Sequence, residues 1–347
     1  MKRAIVLYNL GGPDSLDAVE PFLFNLFNDG AIIGAPQPFR ALIAKLISKR
    51  RGPIARDIYA QMGGASPILP GTRDQAAALK NQLDSGLEAE IFIAMRYWHP
   101  TVEETVAAVE AFQPDEIMLV PLYPQFSTTT TGSFSKAWAA ASRRAGLDAP
   151  VKSLCCYPLA ADFIRAHVEL LREALTQAGG PEGQRVLFSA HGLPKRIVER
   201  GDPYQWQVER TADAVVEALN VPGLDWRVTY QSRVGPLEWI GPATDAEIVQ
   251  AGADGVGLII IPIAFVSEHS ETLVELDIEY RHLAERSGVG SYRRVPALGA
   301  DPIFVSALVE LVRELATRSG PVHSQDGARL CPASFAGCPN PRLSRAS

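Results

Sequence analysis

Residues 268 to 280, EHSETLVELDIEY, place four glutamates, one aspartate and one histidine within thirteen positions. Carboxylate and imidazole side by side suit two tasks. They move protons near neutral pH, and they hold a divalent first-row metal without the tight grip of thiolates. On an α-helix, at roughly 100° per residue, Glu268, Glu271, Glu275 and Glu279 fall within an arc of about 80°. Like charges so spaced cost about 0.2–0.5 kcal/mol per pair, so the ridge is a solvated face, a path for metal ions or the contact of a basic partner. His269, inside the stretch, either orients a glutamate or packs. A second histidine, His191, ends the apolar run RVLFSAHGL and is followed by Gly-Leu-Pro, a tight turn. There a neutral imidazole accepts protons, or simply donates to a backbone carbonyl. Cys155, Cys156, Cys331 and Cys338 are too few for a secreted disulfide scaffold and pose the question of metal or nothing.

The elements that must position these groups alternate. Strand-like apolar runs at 4–10, 90–97, 116–123, 151–157, 185–193, 226–232 and 255–265 are separated by stretches of helical spacing, among them 73–84, 101–112, 159–178, 203–219 and 304–317. Alternation of this kind predicts an α/β protein with parallel sheets, doubly wound and Rossmann-like, with helices on both faces. Ligands of such sheets bind beyond the carboxyl ends of the strands, which is where Asn9-Leu10-Gly11-Gly12-Pro13, Tyr97-Trp98-His99-Pro100, Tyr123 to Gly132, His191 and Ser267 to Glu271 fall. The expected division is a first half over 1–155, a second over 156–303 carrying His191 and Glu271, and a helix and cysteine-bearing extension over 304–347 packing back on the first half. Neither NLGGP nor QMGGASP matches a phosphate-cradling motif, so no nucleotide cofactor is expected. Tyr97, Trp98, Tyr123, Phe126 and Trp239 form either core or a flat aromatic wall. In the segment 22–51, FLFNLF and PFRALIAKLISKRR suit a lip around a large apolar ligand, a membrane-surface contact, or an ordinary amphipathic helix.

The chain has 347 residues, 47% hydrophobic and 21% charged, with a net charge of −6. That composition is globular, and the charge argues against nucleic acid as a partner. No run of eighteen uninterrupted apolar residues and no signal core is apparent, so a cytoplasmic location is expected.

Together, GGASPI (63–68), MRYWHP (95–100), YPQFSTTTTGS (123–133), LFSAHGLP with RGDPY (187–204), QSRVGPLEWIGPAT (231–244) and FVSEHSETLVELDIEY (265–280) resemble ferrochelatase, in the same order and over most of the chain. The resemblance implies two similar α/β halves with an active-site cleft between them, and a lyase that inserts Fe(II), its substrate, into a porphyrin. It implies His191 as the active-site histidine, Glu271 as the essential glutamate, and Glu268 where an aspartate often stands. Glu275 and His269 complete the expected metal contacts. Arg96, Tyr97, Tyr123, Trp239 and Phe265 are expected to line the porphyrin cleft. The basic lip suggests protoporphyrin IX rather than coproporphyrin III, and a peripheral contact at the inner face of the cell membrane; a homodimer is one assembly this reading allows. Some family members hold a [2Fe–2S] cluster with cysteines of a C-terminal extension. Here Cys331 and Cys338 are present, with Leu343 where the animal pattern has a third tail cysteine, and Cys155 and Cys156 bring the thiols to the four a cluster requires. Zinc and unligated thiols are the alternatives. Two other readings are a chelatase placing cobalt in sirohydrochlorin, whose relatives carry paired histidines at the metal, and a porphyrin carrier without turnover.

Overall fold

The computed structural model describes residues 1–83, 87–233 and 235–340; Leu343 lies outside them. The apolar runs become parallel strands. In chain order the elements of the first half are β1 (Arg3–Asn9), α1 (Val19–Phe27), α2 (Phe39–Ala60), α3 (Ile68–Leu83), β2 (Ala89–Met95), α4 (Val102–Phe112), β3 (Glu116–Pro121), α5 (Thr131–Ala145) and β4 (Val151–Cys156). There follow α6 (Ala161–Gln177), β5 (Gln184–His191), α7 (Lys195–Glu199), α8 (Tyr204–Leu219), β6 (Asp225–Gln231), α9 (Thr244–Asp254) and β7 (Gly257–Pro262). A π-helix (Glu271–Glu279), α10 (Tyr280–Arg286), β8 (Tyr292–Arg294), α11 (Pro302–Thr317) and β9 (Val322–Ser324) complete the chain.

One sheet has the order β2-β1-β3-β4-β9 and the other β6-β5-β7-β8. All pairings are parallel. Strands covered on both faces must be apolar throughout, and β3 and β7 are buried at every position. The two sheets share a core: the largest cluster of buried side chains runs from Ile5, Leu7 and Met118 of the first sheet to Phe188, Ile259 and Ile261 of the second. Helix starts follow capping chemistry. Thr101 and Glu104 close a reciprocal capping box on α4, and Asp301 accepts from the N–H groups of Ile303 and Phe304 at α11.

Two elements differ from expectation. The Gly/Pro-rich tail adds β9 to the edge of the first sheet, pairing Ser153 with Val322 and Leu154 with His323. The acidic stretch is a π-helix over Glu271–Glu279, with i→i+5 hydrogen bonds in place of the i→i+4 ladder on which a single glutamate ridge depends. The lip, too, has an unusual packing. Helix α2 buries Ala44, Ser48 and Gly52, its small face, and leaves Phe39 and Leu46 65% and 63% exposed.

Candidate active site

The parallel registers bring the ends of β5, β6 and β7 together, with His191 opposite Gln231 and Ser189 opposite both Gln231 Oε1 and Pro262. His191 is the last residue of β5, and the chain must turn at once beneath Trp239. A Cβ on Gly192 would lie 3.0 Å from the Gln231 carbonyl and 3.3 Å from the Trp239 ring, so only glycine allows the indole to close over that turn. The Trp239 indole nitrogen is buried without a hydrogen-bond partner.

His191 Nδ1 lies 2.8 Å from Glu271 Oε2. A carboxylate only accepts, so Nδ1 carries the hydrogen and, in the neutral imidazole, Nε2 keeps the lone pair. Burial disfavours a charge on either partner. Their mutual attraction outweighs it, holding Glu271 down at about 2 and raising His191 above its ordinary value. His269 stands on the other side of the same carboxylate, its Nε2 3.9 Å from Glu271 Oε2 and its Nδ1 3.1 Å from the Ser267 carbonyl. Burial lowers its pKa and keeps it neutral. Phe265 lies against the His269 ring, centroids 4.6 Å apart.

The other glutamates of the acidic stretch have separate partners. Glu268 Oε1 accepts from Arg294 Nη1 at 2.6 Å and from the Ala297 N–H at 2.9 Å, while its Oε2 is buried without a partner. Arg294, at the end of β8, also donates to both oxygens of Asp277. One guanidinium thus ties the residue before the π-helix to its middle, the cation that so much negative charge calls for. Glu275 accepts from Ser232 N at 2.8 Å, from Gln231 Nε2 and the Tyr280 hydroxyl at 3.0 Å each, and from the Ser232 hydroxyl. Ser232 adopts φ 59°, a left-handed conformation rare outside glycine, and this turns both of its donors onto Glu275. Burial first, then the neighbouring Glu271, raise the Glu275 pKa. Glu279 is exposed. Among the described residues no three His, Cys, Asp or Glu side chains stand in position to hold one metal ion.

At the end of the first sheet, Arg96 and Tyr97 turn to the lip. Asp29 Oδ2 accepts from Arg96 Nη2 and the Tyr97 hydroxyl at 2.8 Å each and from the Ser133 hydroxyl, while Oδ1 accepts from Ala31 N. Burial opposes the charge, yet these donors hold the carboxyl below its usual range. Tyr123 meets Tyr8 edge-on. The two glycine loops pack on each other: a Cβ on Gly12 would fall 2.5 Å from Ser66, whose N–H donates to the Pro13 carbonyl. Across the cleft, Asn9 donates to Thr72 and Ser267 hydroxyls, and Gln75 to the Val266 and Gly299 carbonyls.

The four cysteines gather away from His191, all buried and unpaired by disulfides. Cys155 and Cys156 sulfurs are 3.5 Å apart, and Gln207 Nε2 lies 3.5 Å from Cys156 Sγ and 3.1 Å from Cys331 Sγ. The Cys331 and Cys338 thiols are hydrogen-bonded to each other, which holds the Cys338 pKa down at about 6. Sequence reasoning had no signal for Asp29, Arg294, Ser232 or Gln207, whose roles arise from partners 26 to 124 positions away.

Two parallel sheets with a shared core, whose strand ends carry an imidazole–carboxylate pair, define a two-lobed α/β chelatase-type protein. Bacillus subtilis SirB, solved with Fe3+, has the same fold, with a TM-score of 0.52 at 15% identity over 91% of this chain and 96% of that one. Residues 2–316 match the ferrochelatase family. Ferrochelatases of Caulobacter vibrioides and Phenylobacterium zucineum are 54% and 53% identical, covering 97% of this chain and 97% and 98% of their own lengths. That of Pelagibacter ubique is 46% identical over 98% of both chains. The chain belongs to the ferrochelatase family.

Proposed function

We propose that this chain, a ferrochelatase and thus a lyase of haem biosynthesis, inserts Fe(II) into protoporphyrin IX, with His191 as proton acceptor and Glu271 as its partner carboxylate. The observation that carries the assignment is the 2.8 Å contact between His191 Nδ1 and Glu271 Oε2 at the end of β5. Metallation removes two pyrrole N–H protons. An imidazole whose Nδ1–H is held by a carboxylate offers Nε2 to such a proton, and the imidazolium that forms is stabilised by the same carboxylate. Glu271 and Glu275 offer the next acceptors, and His269 a neutral nitrogen for transient metal contact. Trp239 and Phe265 supply apolar surface for the macrocycle. The test is anaerobic Fe(II) insertion into protoporphyrin IX and, separately, coproporphyrin III, with His191→Ala and Glu271→Gln beside wild type. Full rate in both variants would overturn the assignment, and a preference for coproporphyrin would overturn the substrate.

The thiol donor set fits a [2Fe–2S] cluster held by Cys155, Cys156, Cys331 and Cys338. Hydrogen bonding from Cys155, burial and the neighbouring thiols keep the Cys156 thiol protonated far above its usual range. Four thiolates at this spot therefore require positive charge, which two irons supply, two thiolates to each. Such a cluster supplies one-electron redox capacity and a cross-link between the extension and the body. Visible absorption above 400 nm in iron-replete protein tests it. The exposed Phe39, Leu42, Leu46 and Ile54 of α2, with Lys45, Lys49, Arg50 and Arg51 among them, support contact with an anionic membrane surface. No described helix is long and apolar enough to cross a membrane. Co-sedimentation with anionic against neutral vesicles tests that contact.

A further inference from the structure

We infer that Gln207 is the hydrogen-bond donor that sets the reduction potential of the iron–sulfur centre, and that it joins that centre to both sheets. The inference rests on the cluster reading of the four thiols. Gln207 is on the first turn of α8 and is fully buried. Which end of its amide faces the sulfurs is fixed by a backbone group. The Phe126 N–H, 2.7 Å from Oε1, can only donate, so that end is the oxygen and the other end is the NH2. That nitrogen lies 3.1 Å from Cys331 Sγ and 3.5 Å from Cys156 Sγ. Of the nearby acceptors, Thr211 is already engaged, by Gln125 and by the Pro158 and Gln207 carbonyls.

A buried amide N–H gains little from neutral thiols but about twice as much from thiolates. Reduction of the centre adds negative charge to the sulfurs, so a fixed donor stabilises the reduced form more than the oxidised one and raises the potential. The three contacts of this side chain reach three parts of the molecule. Phe126 follows β3, Cys156 ends β4, and Cys331 belongs to the extension, while α8 itself leads out of the turn after His191. The Gly337 N–H to Gly201 carbonyl bond, 2.9 Å, and the Trp206–Phe335 ring contact lie beside it. A change at the sulfurs is thus transmitted first to the start of α8 and the Gly201–Asp202 loop.

The test uses the full chain, iron-replete and purified anaerobically, as wild type, Gln207→Leu and Gln207→Glu. The Glu variant keeps an acceptor for the Phe126 N–H and turns a negative oxygen on the sulfurs. Against a redox dye of fixed potential, the oxidised fraction should rise about threefold in the Leu variant and about tenfold in the Glu variant. In wild type, the reduced centre should show hyperfine coupling to selectively labelled glutamine side-chain 15N, a measurement that needs no variant to assemble. Unchanged potentials, or no 15N coupling, in protein that holds the cluster overturn the role of Gln207 alone. A wild-type chain without visible absorption overturns the cluster reading and this inference together.

Discussion

At the end of the first sheet a carboxylate, Asp29, receives four donors from Ala31, Arg96, Tyr97 and Ser133; at the end of the second a carboxylate, Glu271, faces two imidazoles. Both carboxyls are held below their usual range, but the partners differ in kind. The Asp29 donors are a backbone amide, hydroxyls and a guanidinium, none of which changes protonation near neutrality. That network fixes the lip and moves no proton. The partner of Glu271 is a histidine raised above its ordinary value, which does change protonation there. The same architecture therefore serves as an anchor on one side and as a titrating pair on the other.

The comparison is tested most severely at the pair. His191→Ala and Glu271→Gln should each lower kcat by about a hundredfold to ten-thousandfold, the range for a positioned acid–base group, while fluorescence titration shows porphyrin still bound. Next comes the support behind it. Arg294→Met leaves Glu268 and Asp277 buried without their cation, and denaturant unfolding should show about 3–5 kcal/mol of lost stability. Asp29→Asn should cost about 1.5–3 kcal/mol and raise KM for porphyrin about tenfold with kcat changed little, because only the lip is released. A large fall in kcat there would mean that the first sheet also takes part in proton movement.

The smallest effect, and the sharpest for the comparison, is in pH dependence. A raised histidine pKa contributes stability that is complete below the unfolded value near 6.5 and disappears as pH rises through the folded value. Glu271→Gln should therefore destabilise more at pH 6 than at pH 9, as thermal melts would record. Asp29, with a depressed pKa, contributes stability present above about 3.8 and lost as pH falls through its folded value, so Asp29→Asn should cost the same at pH 6 and pH 9. In kinetics, the acid limb of kcat/KM should move to lower pH in Glu271→Gln, since removing the carboxylate charge removes what raises His191.

All seven apolar runs became strands, because strands buried on both faces write themselves as unbroken apolar sequence. β8 and β9, three residues each, carry no such run. His191 and Glu271 were legible from type and resemblance, and the structure brings them together. The separation of Glu268 and Glu275 from Glu271 was not, since it depends on the π-helix and on Arg294 and Ser232, residues of ordinary appearance in remote segments. Arg96 and Tyr97 were recognised as site residues, but their shared partner Asp29 sits in a lip loop with no periodicity to mark it. The gathering of four thiols followed from counting cysteines; the amide between them did not.

Nine consecutive residues in the wider i→i+5 winding amount to a helix with surplus chain. In the history of a gene, that surplus is gained or lost one codon at a time. Deleting a single residue between Glu271 and Glu279 would let the segment tighten into ordinary α-helix and rotate everything after it by roughly 100°. Glu275 would then leave Ser232 and Tyr280 although no side chain at the site had been substituted. Families sharing this sheet architecture could thus alter where their acidic groups point through changes in length, a kind of variation that residue-by-residue comparison of site positions overlooks.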